Sequence, residues 1–230
     1  MKRTNRSTYC ENFLKGFTEI FTYKLFYSKF EVLQKRGEHM GKFIVITGLD
    51  GSGTSTVAEA LHNEDVGSSL MKSPPFPFSS NRNAIDEQVY EKSPAAHYLY
   101  YLASNVYLTE VVNEKLATSD ANIYCIRYFI DTVVSHRAKG VPALYEHDTE
   151  LYSIRKPDVI FYLDCAEEER QLRLNERGRG FLDDQLNDDA LREKFLAEFG
   201  ALESEFIRIQ TTNRELEAIV AEIQQHIQGI

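Results

Sequence analysis

Short apolar runs alternate with amphipathic stretches along most of the chain. Five runs have the length and the Val, Ile, Phe and Tyr content of buried strands, at residues 43–47, 69–72, 122–128, 158–164 and 206–209. Helical spacing of apolar residues appears between them, and the longest such stretch runs from Pro94 to about Leu116. Because strands and helices alternate, the pattern predicts an α/β fold with a doubly wound, five-stranded parallel sheet flanked by helices.

The segment after the second strand is rich in proline. Pro74, Pro75 and Pro77 predict an extended loop, and the next helix is expected from Arg82 to Lys92. Loops at the carboxyl ends of parallel strands form ligand sites in open α/β sheets. This loop is therefore a candidate ligand-binding segment, with a plain connection as the alternative.

A glycine-rich turn, GLDGSGTST at residues 48–56, joins the first strand to the helix after it. Glycines permit positive φ and let backbone N–H groups point inward, and the helix adds the positive end of its dipole, so a polyphosphate fits this turn. The spacing is that of the P-loop GxxxxGK(S/T), and the alternative is a turn that binds no ligand. The candidate phosphate-binding residues are Gly48, Gly51, Ser52, Gly53, Thr54, Ser55 and Thr56.

Thr54 occupies the position of the P-loop lysine. That lysine normally reaches the β- and γ-phosphates, so this loop lacks its one long cation. The hydroxyl of Ser55 is the candidate Mg²⁺ ligand, and Thr56 offers a second hydroxyl one residue later. Cations for a phosphate must therefore come from elsewhere in the chain.

Arginines at two places are candidates for that role. Arg127 lies at the end of an apolar strand, where a charge is costly unless it is paired or faces a cleft. Arg173, Arg177 and Arg179 lie among two glycines, which favours a lid at residues 173–187 that carries cations to a phosphate. A solvated surface loop is the alternative for this second segment.

The composition excludes several classes of protein. The 230 residues are 43% hydrophobic and can bury a full core, as one domain or one domain with an appendage. A net charge of −9 argues against a nucleic-acid partner, which needs a basic face. Three scattered cysteines indicate a reducing compartment, and no apolar stretch approaches 18 residues, so we predict a cytoplasmic protein with no membrane partner.

Residues 1–39 differ from the rest of the chain. They contain eight basic and four acidic residues, and some of their apolar positions have the spacing of an amphipathic helix. Residues 35–39 can be encoded by a purine-rich run that resembles a bacterial ribosome-binding site just before Met40. Our hypothesis is that 1–39 is an N-terminal extension from a mis-assigned start, and that 40–230 is the folded domain.

Four segments together resemble the thymidylate kinase family of P-loop nucleoside monophosphate kinases. They are the strand and glycine loop at 43–56, Ile126-Arg127-Tyr128, the strand from Pro157 to Asp164, and the lid-like segment from Arg173 to Gly180. The resemblance covers residues 41–228. It implies a P-loop fold that transfers the γ-phosphoryl group of ATP to a nucleoside monophosphate with Mg²⁺, and a homodimer formed through the long helix.

The resemblance also implies roles for individual residues. Asp50 and Arg127 would act beside the acceptor, and a lid arginine would close over the transferring group. The implied catalytic residues are Asp50, Arg127, Arg173, Arg177 and Arg179. The implied acceptor-binding residues are Tyr101, Leu102, Asn105, Tyr128 and Asp131, with core packing as the alternative for the tyrosines.

Three departures from the family pattern leave the substrate open. Thr54 replaces the lysine, Ile126 replaces the aspartate of Asp-Arg-Tyr, and the long helix supplies no arginine for the acceptor phosphate. The expected activity is phosphorylation of dTMP or another pyrimidine nucleotide. The alternatives are a (deoxy)nucleoside or other small-molecule kinase, and a nucleotide-binding protein with weak catalysis.

Overall fold

The first apolar run forms the central strand of a parallel sheet. In the computed structural model, which describes residues 41–178 and 185–230, all six residues of this strand are buried. The strands are β1 (Phe43–Gly48), β2 (Ser69–Lys72), β3 (Ile123–Ile126), β4 (Val159–Asp164) and β5 (Ile207–Gln210).

Helices connect the strands, as the alternation in the sequence predicts. They are α1 (Thr54–Glu64), α2 (Phe78–Gln88), α3 (Pro94–Thr118), α4 (Phe129–Arg137), α5 (Glu167–Arg177), α6 (Asp189–Ala201) and α7 (Leu216–Gln228), with a 3₁₀ turn at Glu203–Glu205. The N-terminus of the longest helix, α3, is capped by Ser93, whose hydroxyl accepts from the Ala96 N–H at 3.3 Å.

The strand order β2-β3-β1-β4-β5 places β1 between β3 and β4, and every pair is parallel. Val45 of β1 lies beside Cys125 of β3 and Ile160 of β4. The predicted doubly wound sheet is thereby confirmed. Because the chain adds strands on both sides of β1, the carboxyl edge of the sheet forms a crevice at the end of β1, where ligands bind in folds of this class.

Helices cover both faces of the sheet. Phe43 and Val45 pack in one core cluster with residues of α3, α4 and α6, such as Leu108. Ile44 and Ile46 pack on the other face with residues of α1 and α7, for example with Val57. Successive residues of β1 point to opposite faces, so burial on both sides explains why this run is continuously apolar.

The helix after the proline-rich loop begins one turn earlier than the sequence pattern predicts, at Phe78 rather than Arg82. Pro77 has φ −85° and ψ −5°, which is compatible with a helix start, and the Ser79 N–H donates to the Pro75 carbonyl at 2.8 Å. Arg82 therefore lies in the second turn of α2, one turn before Asp86.

Some predictions fall outside the described residues. The extension at 1–39 is one of them, and Arg179 with the following lid residues is another. Within the described residues, no helix is long and apolar enough to cross a membrane.

Candidate active site

The glycine-rich turn leads directly into α1. Gly53 is the N-cap of this helix, and among the described residues no side chain caps it. The first N–H groups of a helix have no acceptor within the helix, so those of α1 remain available to an anion, beside the positive end of the dipole. The turn therefore has the geometry of a phosphate-binding loop.

Gly51 is required by the packing of this loop against α5. Its φ is +90°, and a Cβ atom there would lie 2.9 Å from the carbonyl oxygen of Arg170. Both the backbone conformation and the close approach therefore exclude other residues.

The loop is held from behind by two arginines of α5. The guanidinium of Arg170 is 1% exposed, donates to the Asp50 carbonyl at 2.7 Å and pairs with Glu167 at 2.7 Å. Arg173 donates to the Ser52 carbonyl at 3.2 Å and pairs with Glu169. Arg173 thus lies in a helix against the loop, whereas the sequence analysis predicts that it belongs to a lid. The sequence analysis did not identify Arg170 as a candidate.

The hydroxyl residues of the loop differ in their surroundings. Thr54, at the lysine position, is only 8% exposed, Ser55 is half-buried, and Thr56 is exposed on the first turn of α1. Ser52 is buried, and its hydroxyl has no hydrogen-bond partner among the described residues.

Arg127 joins the phosphate-binding loop to β3 and α4. Its Nη2 donates to Asp50 Oδ1 at 2.8 Å, and its Nη1 donates to Asp131 Oδ1 at 2.9 Å. Asp131 also accepts from the Thr47 hydroxyl at 2.6 Å and from the Tyr128 N–H at 2.9 Å. These partners explain how the fold accommodates a charge at the end of an apolar strand.

Arg127 has φ +63°, in the left-handed region that residues with a side chain rarely adopt. The Arg127 N–H donates to the Ile46 carbonyl at 2.9 Å, so the sheet fixes this conformation. Such strain is typical of functional positions.

The charges around Asp50 shift its titration. Burial alone would raise the pKa of the Asp50 carboxyl, but the positive charges of Arg127 and Arg177 hold that pKa below its ordinary value. For Arg127, burial alone would lower the pKa. The carboxylates of Asp50 and Asp131 outweigh burial and raise this pKa above its ordinary value. Asp50 and Arg127 are therefore both ionised at neutral pH.

A solvent-open cavity lies beside this ion pair. Its walls come from the carboxyl edge of the sheet, from α2, α3 and α4, and from α6 with the residues before it. Of the sequence candidates, the lining includes Gly48, Asp50, Tyr101, Arg127, Tyr128 and Asp131. Leu102 and Asn105 lie behind the wall: Leu102 is in the core, and Asn105 donates to the Thr132 hydroxyl at 2.8 Å.

Two cations near the cavity mouth were missed by the sequence analysis. Arg82 of α2 lines the cavity, with Nε 3.2 Å from Asp86 Oδ2. Lys72 ends β2, and burial together with the charges of Arg82 and Arg127 lowers its pKa. Arg82 and Arg127 therefore both line the cavity with Asp50, and Lys72 lies within electrostatic range of the two arginines, even though α3 supplies no arginine. Arg82 lies in the second turn of α2.

A buried chain of polar side chains lies farther into the cavity wall. His97 of α3 is 3% exposed, and its Nε2 lies 2.9 Å from Asp86 Oδ1. Its Nδ1 lies 2.8 Å from Nε2 of His136 in α4, and the Tyr101 hydroxyl donates to Asp86 at 2.7 Å. Asp86, His97 and His136 are separated in sequence, and only the helix packing reveals them as a group.

The partners of this chain determine its hydrogen-bond directions. His136 Nδ1 lies 2.6 Å from the Thr132 carbonyl, which only accepts, so Nδ1 is the donor. Burial lowers the pKa of His136 to about 4, so the ring is neutral and Nε2 is an acceptor. The Nδ1 of His97 therefore donates to Nε2 of His136, and its Nε2 lies against the Asp86 carboxylate. All of these nitrogen atoms have partners within the protein.

Known proteins were compared with the chain. The family model described as thymidylate kinase matches residues 46–223. A comparison with curated protein sequences gives no match.

Three solved structures have similar folds. A thymidylate kinase from Candida albicans is 20% identical, with a TM-score of 0.65, over 84% of this chain and 93% of the other. A thymidylate kinase from Ehrlichia chaffeensis is 19% identical, with a TM-score of 0.55, over 82% and 99%. A deoxyadenosine kinase from M. mycoides is 16% identical, with a TM-score of 0.57, over 82% and 100%.

At identities of 16–20%, the solved structures establish only the fold. The match to the family model establishes the family. Because that model matches well over half of the chain, and because the P-loop and the arginine-lined cavity lie where such enzymes need them, this chain belongs to the thymidylate kinase family and is a nucleotide kinase.

Proposed function

We propose that the protein transfers the γ-phosphoryl group of ATP to the phosphate of a nucleoside monophosphate, giving the diphosphate. The observation that carries this proposal is that Arg127 and Arg82 line the cavity together with Asp50, where the cavity meets the phosphate-binding loop. Lys72 lies within electrostatic range of both arginines. Both arginines already have carboxylate partners within the protein. Their remaining N–H donors can form charge-assisted hydrogen bonds with the phosphate of a monophosphate, which a nucleoside lacks.

The phosphate-binding loop accounts for the donor side of the reaction. Its N–H groups and the N-terminus of α1 would hold the β-phosphate of ATP, in a turn whose glycines have positive φ. Charge stabilisation at the γ-phosphate would come from arginine, because Thr54 is buried and uncharged. Arg177, whose charge acts on Asp50, is the first candidate in α5.

Mg²⁺ fits a site of this kind. Among the described residues no cluster of three or more His, Cys, Asp or Glu side chains forms a metal cage. Mg²⁺ in kinases needs few protein ligands, because phosphate oxygens and water complete its octahedral shell. The Ser55 hydroxyl, on the first turn of α1, would bind it. Bound Mg²⁺ would neutralise charge that develops on the phosphates.

Phosphoryl transfer in such a site depends on positioning more than on covalent chemistry. Arg127 would hold the acceptor phosphate while Asp50 and Asp131 fix the plane of its guanidinium. Asp50 would also face the acceptor sugar or the metal. The walls of the cavity would enclose the sugar and base, and so limit access of water to the transferring group.

The test uses the full chain with ATP and Mg²⁺, and measures ADP release with a panel of nucleoside monophosphates and of the corresponding nucleosides. We expect turnover with at least one monophosphate and a kcat/KM at least tenfold above that of its nucleoside. A preference for nucleosides would overturn the proposal in favour of a nucleoside kinase. ATP binding without turnover on any acceptor would overturn it in favour of a binding protein.

A further inference from the structure

Lys139 lies in the cavity wall without a polar partner. It follows α4 by two residues, lines the cavity, and its Nζ lies 3.6 Å from the centroid of the Tyr90 ring and 5.8 Å from that of Phe195. Within residues 41–178 and 185–230, no oxygen accepts a hydrogen bond from Nζ and no carboxylate pairs with it. An ammonium group between aromatic rings, at the edge of a cavity, needs an acceptor from a ligand.

The neighbouring polar groups already have partners, so they cannot satisfy Lys139. The Asp86 carboxylate accepts from His97, Tyr101 and Arg82. Both nitrogens of His136 are occupied, one by the Thr132 carbonyl and one by His97. This end of the cavity therefore presents spare donors and no spare acceptor of comparable strength.

The position of Lys139 indicates which part of a nucleotide it would meet. Helix α4 spans nine residues and rises about 13 Å, with Arg127 two residues before its start and Lys139 two residues after its end. With the acceptor phosphate on Arg127, a nucleotide lying along α4 brings the edge of its base farthest from the sugar toward Lys139. Phe195 and Phe199 supply apolar surface beside that edge.

Building on the function proposed above, we propose that Lys139 selects nucleotides whose base carries a carbonyl oxygen at the edge farthest from the sugar. Uracil and thymine present a carbonyl at C4, and guanine presents one at C6; each would accept a hydrogen bond from the ammonium group. Cytosine and adenine carry an amino group at these positions, which would place donor against donor.

The test compares the wild type with Lys139→Met, which keeps an unbranched apolar stem and removes the donors. Lys139→Arg retains the charge. Lys115→Met is the matched control, because Lys115 is an exposed lysine of α3 that donates to Ser69 at 3.3 Å. Two quantities are measured for the full chain: kcat/KM with ATP and Mg²⁺, and equilibrium binding without ATP, each for dTMP, dUMP, dCMP, dGMP and dAMP.

We expect the wild type to prefer a carbonyl base, and Lys139→Met to lose about 10- to 100-fold in affinity and kcat/KM for it, the scale of a hydrogen bond to a charged group. The same variant should keep or improve binding of dCMP and dAMP. The balance between dTMP or dUMP and dGMP shows whether the base is a pyrimidine or a purine.

Two results would overturn the role of Lys139. One is a wild-type preference for dCMP or dAMP, and the other is an equal loss for every nucleotide in Lys139→Met, which would indicate a structural role. Selective binding of carbonyl bases that depends on Lys139, without turnover, would support the inference while refuting the proposed reaction. Absence of binding to every nucleotide would refute both.

Discussion

Asp50 of the phosphate-binding loop and Arg127 at the end of β3 form an ion pair of 2.8 Å that joins this loop to the wall of the cavity. Asp131 holds the other terminal nitrogen of the same guanidinium at 2.9 Å. With both of these nitrogens held, Arg127 is oriented before any ligand arrives, so little side-chain entropy remains to be lost on binding. This preorganisation makes Arg127 the first residue at which to test the proposed acceptor site.

Replacing Arg127 should therefore impair catalysis severely. We expect Arg127→Ala to raise the acceptor KM and to lower kcat/KM by the equivalent of about 2–4 kcal/mol, the scale of a lost charged contact. Steady-state kinetics with varied acceptor measures this. Arg155→Ala, at an arginine whose exposed contact is with Asn113, is the control. An unchanged acceptor KM in Arg127→Ala would remove this residue from the site.

The backbone of Arg127 allows a second comparison. Because φ is +63°, Arg127→Gly should be more stable than Arg127→Ala by about 1 kcal/mol, while being equally inactive. Urea unfolding measures the difference. Equal stability of the two variants would show that the left-handed conformation is not strained at this position.

Much of the fold could be predicted from the sequence, because five apolar runs and their spacing reflect burial on both faces of a parallel sheet. The phosphate-binding loop and Arg127 were also predictable, since each departs from its local pattern: a cluster of glycines and a charge at a strand end. Arg82 was missed because the prolines before it predict a loop, so α2 seemed to begin only at that residue. Its position inside the helix determines which wall it faces.

Asp86, His97, His136 and Lys139 were missed for a different reason. Each is an ordinary polar residue within a helix or near its end. Nothing in the sequence indicates that three helices bring Asp86, His97 and His136 into contact and place Lys139 in the same cavity wall. Arg170 is similar, because a charged residue in the very polar α5 gives no sign of being 1% exposed. Such groups depend on tertiary packing, which periodicity cannot resolve.

A substitution at Arg82 tests whether the acceptor carries a phosphate. We expect Arg82→Ala to raise the KM of the preferred monophosphate by about 10- to 100-fold, because a charged contact to the phosphate is lost. The KM of the corresponding nucleoside should change little. Kinetics with both acceptors measures the contrast. Equal increases for both would show that Arg82 acts by holding Asp86 and α2 in place.

Thr54→Lys tests whether the loop has merely lost its lysine. The residue is 8% exposed, so a lysine there must be desolvated beside a site that already contains several basic side chains. We expect kcat with ATP and the preferred acceptor to stay within about threefold of the wild type or to fall. A tenfold or greater rise in kcat would instead identify Thr54 as a decayed position, and the wild type as a weak catalyst.

Binding of a carbonyl base should weaken as Lys139 loses its proton. Burial lowers the pKa of Lys139 to about 7, and the Asp86 charge only partly opposes this. The dissociation constant of dTMP should therefore rise between pH 7 and pH 9 in the wild type and stay nearly flat in Lys139→Arg, whose guanidinium remains charged. Among the described titratable groups, Tyr90 contacts Lys139 and Asp86 acts on its pKa. Those that line the same cavity are Asp50, Arg82, His97, Tyr101, Arg127, Tyr128, Asp131 and His136.

The wild type and Lys139→Arg have all of these neighbouring groups in common. Titration of the neighbours therefore cannot explain a difference in pH dependence between the two. Isothermal titration calorimetry with dTMP at several pH values measures the dependence directly. Parallel curves for the wild type and Lys139→Arg would assign the titration to another group.

His136 should make the folded state sensitive to acid. Its pKa is about 4 in the folded protein, below the ordinary value of 6.5, because burial disfavours the charged ring. Protonation therefore favours the unfolded chain, so the contribution of neutral His136 is fully present above pH 6.5 and is lost as the pH falls toward 4. The loss amounts to about 3 kcal/mol, since one pKa unit corresponds to about 1.4 kcal/mol.

Urea unfolding between pH 7 and pH 4 tests this on the wild type and on His136→Gln. The variant starts from a lower free energy of unfolding, because the hydrogen bonds to Thr132 and His97 are disturbed, but its stability should fall less steeply below pH 6.5. His226→Gln, at an exposed histidine of α7, should keep the wild-type slope. If His136→Gln also kept that slope, the acid sensitivity would belong to the carboxylates. The assignment of His136 as neutral, with Nε2 as an acceptor, would then be wrong, and so would the hydrogen-bond directions that depend on it.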